Sequence, residues 1–314
     1  MSREESFGLK GAFVGNVGKP RATVIVSRGE GQLGNRLFQF ATFHAASLEL
    51  GFELWNPAFG DYARHFPEIA GDVFCRPRCV KPLRGSRKLA CWFFAGVASR
   101  RWRKAVRLFG GDILDISVTH DEREEEYDLG AEGFARHLAE HRFLIVQGWK
   151  FRAQDAIWRH RAKLREVLRP QDHLVDVATR SALAAKGDAD VLIGVHVRRG
   201  DYAGWQGGRF FFEWGDYSLW MRQAVELFKG RRVAFLICSN EPTVRLPHVE
   251  GAMVTAGPGG VIEDLYALAS CDLLMGPPST FTLWASYWGG VRLHMLERVG
   301  ESLWEGGFVM HQRI

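Results

Sequence analysis

Short apolar runs rich in β-branched residues alternate with longer segments of helical periodicity along this chain. The first run, ATVIVS at 22–27, is followed by a glycine-rich loop and by a segment at 35–50 whose apolar residues recur at helical spacing. Another short run at 52–55 predicts the next strand. The order strand, loop, helix, strand is typical of one half of a doubly wound parallel domain.

The same alternation returns in the second half of the chain. FLIVQ at 143–147 predicts a strand, and the helix predicted at 153–168 ends before a proline. The elements that follow are predicted as helix 174–185, strand 191–197, helix 217–229, strand 233–238, helix 262–270, strand 273–275 and helix 281–288. We therefore expect an N-terminal α/β domain at 22–170 and a C-terminal one at 171–314, after a flexible tail at 1–21.

An arginine-rich loop, HVRRGDY at 196–202, directly follows the apolar run at 191–195. Open α/β sheets bind ligands at the carboxyl ends of their strands, and guanidinium groups match phosphate oxygens bidentately without a metal. Arg198 and Arg199 therefore suit a diphosphate. The structural alternatives are that both arginines lie in a solvated turn, or that Arg199 pairs with Asp201.

The pattern His-x-Arg-Arg-x-Asp after a strand resembles the nucleotide-sugar signature of the α-1,2-fucosyltransferases of glycosyltransferase family 11. Three further segments are similar to that family in the same order: GQLGNRLFQFA at 31–41, FLICSNE at 235–241, and a block from EDLY to PSTF and tryptophan at 263–284. The chain departs from the family pattern at Pro277-Pro278, where Ala-Asn is usual, and at 282–284, where Ser-Trp-Trp is usual.

The resemblance implies a GT-B architecture, in which two Rossmann-like doubly wound domains face each other across a cleft. It also implies an inverting, metal-independent transfer of L-fucose from the donor substrate GDP-β-L-fucose. The acceptor is expected to be a galactose-type residue of a surface glycan, linked α-1,2. A non-catalytic GDP-sugar-binding protein and a glycosyltransferase using another GDP-sugar are the alternatives.

The implied donor site draws on both halves of the chain. Arg198 is expected to bind the β-phosphate and to stabilise the leaving GDP, and His196 to contact the guanosine part. The other implied donor-binding residues are Asn35, Arg199, Asn240, Asp264, Ser279, Thr280 and Phe281. Asp201 and Glu30 are the candidate general bases.

Several of these residues also have a purely structural interpretation. Asn35 and Ser279 stand where helix N-caps are expected, and Asp264 stands in the first turn of a predicted helix. A lone histidine at a strand end, such as His196, is often a hydrogen-bonded core residue.

Three other motifs could indicate a dinucleotide site or a metal site. GEGQLG at 29–34 is a literal G-x-G-x-x-G, and Glu53 follows at roughly the spacing of a dinucleotide site. DAD at 188–190 precedes its strand rather than following it, so it predicts a turn instead of a metal site. Five cysteines are an odd count, and Cys75 and Cys79 lack partners for zinc. We expect no metal and no cofactor.

Charge is unevenly distributed in a chain whose net charge is +5. No acidic residue occurs from 73 to 111, which we interpret as a basic, aromatic insertion. Its basic residues are Arg76, Arg78, Lys81, Arg84, Arg87, Lys88, Arg100, Arg101, Arg103, Lys104 and Arg107. Because CWFFAGV at 91–97 lies between them, the segment at 76–107 suits an anionic membrane surface and a lipid-linked glycan acceptor. A solvated helix packed beside a buried one is the alternative.

Location and other partners follow from what the sequence lacks. It has no run of 18 apolar residues, and residues 1–5 lack the layout of a signal peptide, so we expect a cytoplasmic protein, peripheral on the inner membrane face. A basic, aromatic segment also suits nucleic acid, but no nucleic-acid-binding motif accompanies it, and we expect none to bind.

Overall fold

The computed structural model describes residues 22–115, 126–241 and 246–312. Its strands are β1 (Thr23–Val26), β2 (Glu53–Trp55), β3 (Gly111–Asp115), β4 (Tyr127–Asp128), β5 (Phe143–Gln147), β6 (Phe151–Arg152), β7 (Val191–Val197), β8 (Val233–Ser239), β9 (Ala252–Ala256), β10 (Leu273–Gly276) and β11 (Arg292–Met295). Its helices are α1 (Leu33–Leu50), α2 (Gly60–Ala63), α3 (Pro67–Ala70), α4 (Arg87–Val97), α5 (Arg103–Leu108), α6 (Glu132–Glu140), α7 (Gln154–Arg159), α8 (Arg161–Val167), α9 (Asp172–Lys186), α10 (Trp214–Leu227), α11 (Val261–Leu268) and α12 (Thr280–Gly289).

Two parallel sheets organise the described residues. The first has the strand order β2-β1-β5-β3, and the second has the order β11-β10-β7-β8-β9. A short parallel pair joins β4 to β6. The predicted α/β class is therefore confirmed, and β7 has the predicted bounds because all seven of its residues are buried.

The structure differs from the sequence prediction at several elements. The helix predicted at 153–168 is two helices, α7 and α8, which meet at His160. Strands β3, β9 and β11 were not predicted, since polar residues interrupt β3 and both edge strands are only partly buried. The basic segment leads directly into β3, and α4 and α5 lie against a face of the first sheet. The tail at 1–21 and the acidic residues at 121–125 lie outside the described residues.

The two halves of the chain share one large hydrophobic cluster. Helix α1 packs against α12, where the rings of Phe38 and Trp284 lie 5.0 Å apart edge to face. The guanidinium of Arg161, on α8, donates to the carbonyl oxygens of Tyr287 at 2.7 Å and Trp288 at 2.9 Å. The predicted boundary near residue 170 lies between the two sheets, but helices before it pack on α12, and the boundary stays a prediction.

Candidate functional site

A pocket of about 340 Å³ opens where β7, β8 and β10 end, which is where an open parallel sheet binds its ligands. We call it the strand-end pocket. The predicted site residues that line it are His196, Arg198, Asn240, Asp264, Ser279, Thr280 and Phe281. The start of α1 closes the opposite side, so the pocket joins both halves of the chain.

Arg198 directs its guanidinium into this pocket. One nitrogen donates to Oδ2 of Asp201 at 2.7 Å and to Oε1 of Gln32 at 3.1 Å, and the group lies over the Tyr202 ring at 5.4 Å. The Nε–H is buried and has no hydrogen-bond partner among the described residues. A buried, unsatisfied charged donor favours an anionic ligand, because leaving it unpaired is energetically costly.

Arg199 lies on the same loop but does not line the pocket. Its guanidinium pairs with Glu213 at 2.6 Å and Glu241 at 2.9 Å, donates to the carbonyl of Phe212, and lies 4.5 Å from the Phe211 ring. The predicted pairing of Arg199 with Asp201 is wrong, since Asp201 pairs with Arg198 instead. These contacts give Arg199 a structural role, and its predicted donor contact stays a prediction.

Asn240, which follows β8, packs closely against the arginine loop that follows β7. The Asn240 Oδ1 accepts from the backbone N–H of Arg199 at 3.0 Å, and its Nδ2 lies 3.4 Å from Oδ1 of Asp201. Gly200 has φ +20°, and a Cβ there would lie 2.6 Å from the Asn240 Nδ2. Any other residue at this position would displace the Asn240 side chain, and Asn240 holds the loop as well as lining the pocket.

His196 is buried at the end of β7. Its Nδ1 is 2.7 Å from Oγ1 of Thr282, and its ring lies 5.0 Å from that of Phe281. Burial, reinforced by the positive charge of Arg198, lowers the pKa of His196 to about 3. The imidazole is therefore neutral near pH 7 and offers hydrogen bonds rather than a positive charge.

Asp264 supplies a carboxylate at another wall of the pocket. It lies in the first turn of α11 and accepts from the backbone N–H of Gly259 at 2.7 Å. Burial raises the pKa of Asp264 from 3.8 to about 6, and the Gly259 hydrogen bond opposes this. The pocket thus has a cationic part at Arg198 and an acidic part at Asp264, which suits a ligand with both an anion and N–H donors.

The start of α12 lies at the pocket, and so does the start of α1. Ser279 caps α12, since its hydroxyl accepts from the Phe281 N–H at 3.2 Å. Neither helix has an acidic residue in its first turn. Unpaired N–H groups and the helix dipole therefore face the same space, which is how helix N-termini bind phosphate.

Asn35 is not a helix N-cap, so that structural alternative is wrong. Helix α1 begins two residues earlier, at Leu33, and the Oδ1 of Asn35 accepts from the Thr280 hydroxyl at 2.5 Å. Asn35 does not line the pocket, but it ties α1 to the start of α12.

Two residues of the glycine loop have roles that sequence reasoning missed. Gln32 lines the pocket and binds Arg198. A Cβ on Gly34 would lie 2.7 Å from backbone atoms of Thr280 and Phe281, so only glycine allows α1 to approach α12 this closely. The signal was present in the motif at 31–41, but its partner segment lies about 245 residues away.

Glu30 and Asp201, the two candidate bases, do not line the strand-end pocket. Both Asp201 oxygens face donors, from Arg198 and from Asn240. Glu30 pairs with Arg28 at 3.2 Å in the loop between β1 and α1. This loop also borders a second cavity of about 910 Å³ at the ends of β1 and β5, which we call the polar cavity.

The glycine loop at 29–34 does not resemble an open dinucleotide site. The guanidinium of Arg36 fills the space beside Gly29, where a Cβ would lie 1.0 Å from its Nη1, and it donates to two backbone carbonyls. Glu53, the carboxylate of that interpretation, pairs with Arg76 at 3.5 Å instead.

Within the described residues, Asp112, His137 and His141 are the side chains grouped closely enough to ligate a metal ion, with ligand atoms within 4.8 Å of one another. Arg107 donates to both Asp112 oxygens, at 3.2 and 3.3 Å, and its charge disfavours a cation there. Asp112 lies toward the amino end of β3, whereas the glycine loop follows the carboxyl end of β1. None of these three residues lines the strand-end pocket.

Residues 142–295 match the family model for Glycosyl transferase family 11. The galactoside alpha-(1,2)-fucosyltransferase 1 of Ateles belzebuth is 31% identical over 189 residues, which cover 54% of this chain and 47% of that protein. The protein of the same name from Homo sapiens is 31% identical over 150 residues, covering 42% and 41%. The chain spans about half the length of the curated relatives it matches.

Solved structures share the fold at low sequence identity. A variant of Arabidopsis thaliana FUT1 in complex with GDP gives a TM-score of 0.58 at 16% identity, covering 91% of this chain and 72% of that one. NodZ alpha-1,6-fucosyltransferase soaked with GDP-fucose gives 0.51 at 17% identity, covering 89% and 97%. These likenesses concern the fold alone.

Proposed function

We propose that this chain, whose residues 142–295 match the family model for Glycosyl transferase family 11, transfers L-fucose from GDP-β-L-fucose to a sugar hydroxyl. The observation that carries the proposal is the Arg198 guanidinium, a largely buried cation that lines a pocket onto which two helix N-termini open. Three sources of positive potential around one small space favour a diphosphate. The relatives and solved structures named above support fucose as the sugar.

The chemistry of the pocket suggests how GDP lies in it. The diphosphate fits between Arg198 and the starts of α1 and α12. The Asp264 carboxylate suits the adjacent N–H groups of guanine, because a carboxylate accepts two parallel hydrogen bonds from such an edge. Uracil lacks an exocyclic amino group, so this wall favours GDP-sugars over UDP-sugars.

The proposed reaction is an inverting displacement. As the bond from fucose to GDP breaks, negative charge grows on the β-phosphate, and Arg198 and the helix N-termini stabilise it. Because Arg198 and the helix N-termini can stabilise the negative charge, they support a transfer that does not need a metal. The acceptor hydroxyl attacks the opposite face of the sugar and gives up its proton to a general base, so the β-linked donor yields an α-linked product.

We assign the base to Glu30 and a positioning role to Asp201. Glu30 lies in the loop that borders the polar cavity, and its ion-pair partner Arg28 is itself 64% exposed. Asp201 is engaged by Arg198 and Asn240, which supports a role in orienting the Arg198 guanidinium.

We further propose the GT-B arrangement, with the polar cavity as the acceptor side and the strand-end pocket as the donor side. Two parallel sheets and the glycine loop between the two spaces support it. The proposed acceptor is a galactose-type residue joined through an α-1,2 link, carried on a lipid-linked glycan. The cytoplasmic location at the inner membrane face remains a prediction from the sequence.

Donor binding is tested by thermal shift with GDP, GDP-fucose, GDP-mannose, UDP-galactose and NAD. We expect GDP and GDP-fucose to stabilise the protein, and Arg198→Ala to weaken their binding by roughly 10- to 100-fold, as expected for lost charge-assisted hydrogen bonds. Arg232→Ala is the matched control, because Arg232 pairs with Asp190 at the amino end of β7. A response to NAD alone, or to none of the ligands, would contradict the proposal.

Transfer itself is tested with a panel of galactosides, with the product linkage read by NMR. Glu30→Gln should abolish transfer while leaving the GDP affinity within about threefold of wild type. Asp201→Asn should weaken GDP binding through Arg198. GDP binding without transfer or donor hydrolysis by the wild type would favour the non-catalytic alternative, and transfer from another GDP-sugar would replace fucose.

A further inference from the structure

An apolar cavity of about 880 Å³ lies between the first sheet and helices α4 and α5, away from the strand-end pocket. Its inner wall includes Ile25, Phe143 and Ile145 from the sheet, and Phe94 and Val106 close it from the helices. The lining is almost entirely apolar, and the volume falls within the roughly 300–1,000 Å³ of ligand sites.

Helix α4, which covers this cavity, is largely exposed. Helix α4 contains no buried residue, although it is rich in aromatic side chains. Large apolar side chains at the cavity mouth and beside it reach solvent: Trp92, Phe93, Trp102, Leu108 and Phe109. A contiguous exposed apolar patch of this kind marks an interaction site.

The charges on the segment that covers the cavity have one sign. No acidic residue occurs between 73 and 111. Arg84, Lys88, Arg101 and Lys104 are exposed and form no ion pair with another described residue. Arg142 lines the apolar cavity itself, and Lys88, Arg101 and Lys104 lie on the segment that covers it. An apolar cavity with these cations nearby is complementary to a molecule that has a hydrocarbon body and an anionic head.

We propose that this cavity binds an anionic membrane lipid, with one hydrocarbon chain inserted between α4 and the first sheet and the phosphate held by the surrounding cations. The exposed aromatic side chains would then lie at the level of the lipid headgroups. None of the helices in the described part of the chain has the length and hydropathy of a membrane span. This inference goes beyond fucosyl transfer and does not depend on it.

The site also has a consequence for the polar cavity. Trp92 lines both cavities, which lie on two sides of α4. A lipid bound on one side would therefore hold the mouth of the polar cavity close to the membrane surface, within reach of a membrane-bound glycan.

Insertion of a chain is tested with the full-length protein and vesicles of phosphatidylcholine containing about 30% phosphatidylglycerol. A trace of phosphatidylglycerol with a photoactivatable group on one acyl chain is crosslinked, and the labelled residues are mapped by mass spectrometry. We expect label on Ile25 and Ile145, which are less than 5% exposed and cannot be reached by lipid that adsorbs only on the surface.

A variant that fills the cavity makes the test specific. Gly96 lines the cavity on α4, and a Cβ there would meet no atom within 4 Å, so Gly96→Leu projects into free space without a clash. It should remove the label from Ile25 and Ile145. Gly133→Leu on α6, where a Cβ is equally free, is the matched control and should leave the labelling unchanged.

The charge requirement is tested by cosedimentation. Replacing Lys88, Arg101 and Lys104 by glutamine should weaken vesicle binding on the order of 100-fold, about fivefold for each charge, and pure phosphatidylcholine should bind poorly. Label confined to Trp92 and Phe93 would overturn the proposal, and so would a lack of vesicle binding. The same results are expected if residues 1–21 or a second copy of the chain occupy the cavity. A preserved thermal shift with GDP in each variant separates this outcome from failure of the donor site.

Discussion

Replacing Asp264 by asparagine should affect stability and ligand binding in opposite directions. Burial raises the pKa of Asp264 from 3.8 to about 6. The folded protein therefore holds this proton more tightly than the unfolded chain does. The contribution of Asp264 to the unfolding free energy is therefore most favourable below pH 4, where the side chain is protonated in both states, and it is lost as the pH rises through 6. At 1.36 kcal/mol per pH unit, the difference corresponds to about 3 kcal/mol at neutral pH.

The assay is urea unfolding of wild type and Asp264→Asn at pH 4 to 8, in the absence of ligand. Because other groups titrate in the same range, the informative quantity is the difference in unfolding free energy between the two proteins at each pH. We expect that difference to shift in favour of the variant by about 2–3 kcal/mol between pH 4 and pH 8. The Gly259 N–H keeps an acceptor in the asparagine side chain, so no buried donor is orphaned.

GDP binding should respond in the opposite way. If the ionised carboxylate accepts guanine N–H groups, wild-type affinity falls below pH 6, by about tenfold at pH 5, whereas Asp264→Asn binds more weakly at pH 7.5. The phosphates of GDP also titrate in this range, but they do so equally with both proteins, so the comparison between wild type and variant removes their effect. A stability difference that does not change with pH, or a variant that binds GDP like wild type, would refute this account of Asp264.

Three further perturbations test the geometry of the strand-end pocket. Gly34→Ala should separate α1 from α12 and weaken GDP binding at least tenfold by calorimetry, whereas Gly71→Ala, where a Cβ is free, should not. Arg199→Met should cost about 1–2 kcal/mol in urea unfolding by leaving two carboxylates unpaired, yet change the GDP affinity less than about threefold; a larger loss of affinity would restore Arg199 as a donor ligand. Thr280→Val removes the hydroxyl bound to Asn35 and should lower both the unfolding free energy and GDP affinity by about 1 kcal/mol.

The sequence predicted those elements whose signal is local. β7 was predicted correctly because an uninterrupted apolar run at 191–197 is buried on both faces. β3 was missed because glycine and aspartate break its apolar pattern, and Asp112 is compensated by Arg107 from the preceding helix. The pattern that indicates a strand thus fails where tertiary contacts satisfy a polar residue within it.

The roles of the two arginines illustrate what sequence could not decide. Both follow β7, and both suit a phosphate by chemistry alone. Arg199 is removed from the pocket by Glu213 and Glu241, which lie 14 and 42 residues away and carry no local signal. Arg198 keeps a free N–H because its partner Asp201 engages only one of its nitrogens.

The contacts that close the strand-end pocket come from residues far apart in the chain. Arg198 binds Gln32, Asn35 binds Thr280, and Gly34 permits close approach of the two helix starts. Each contact joins the glycine loop or the start of α1 to the second sheet and α12. A diphosphate between these groups would add to the same contacts, so donor binding and the closure of the two halves stabilise each other. The pocket is therefore complete only when both halves are in place, which links donor binding to the loop that carries Glu30.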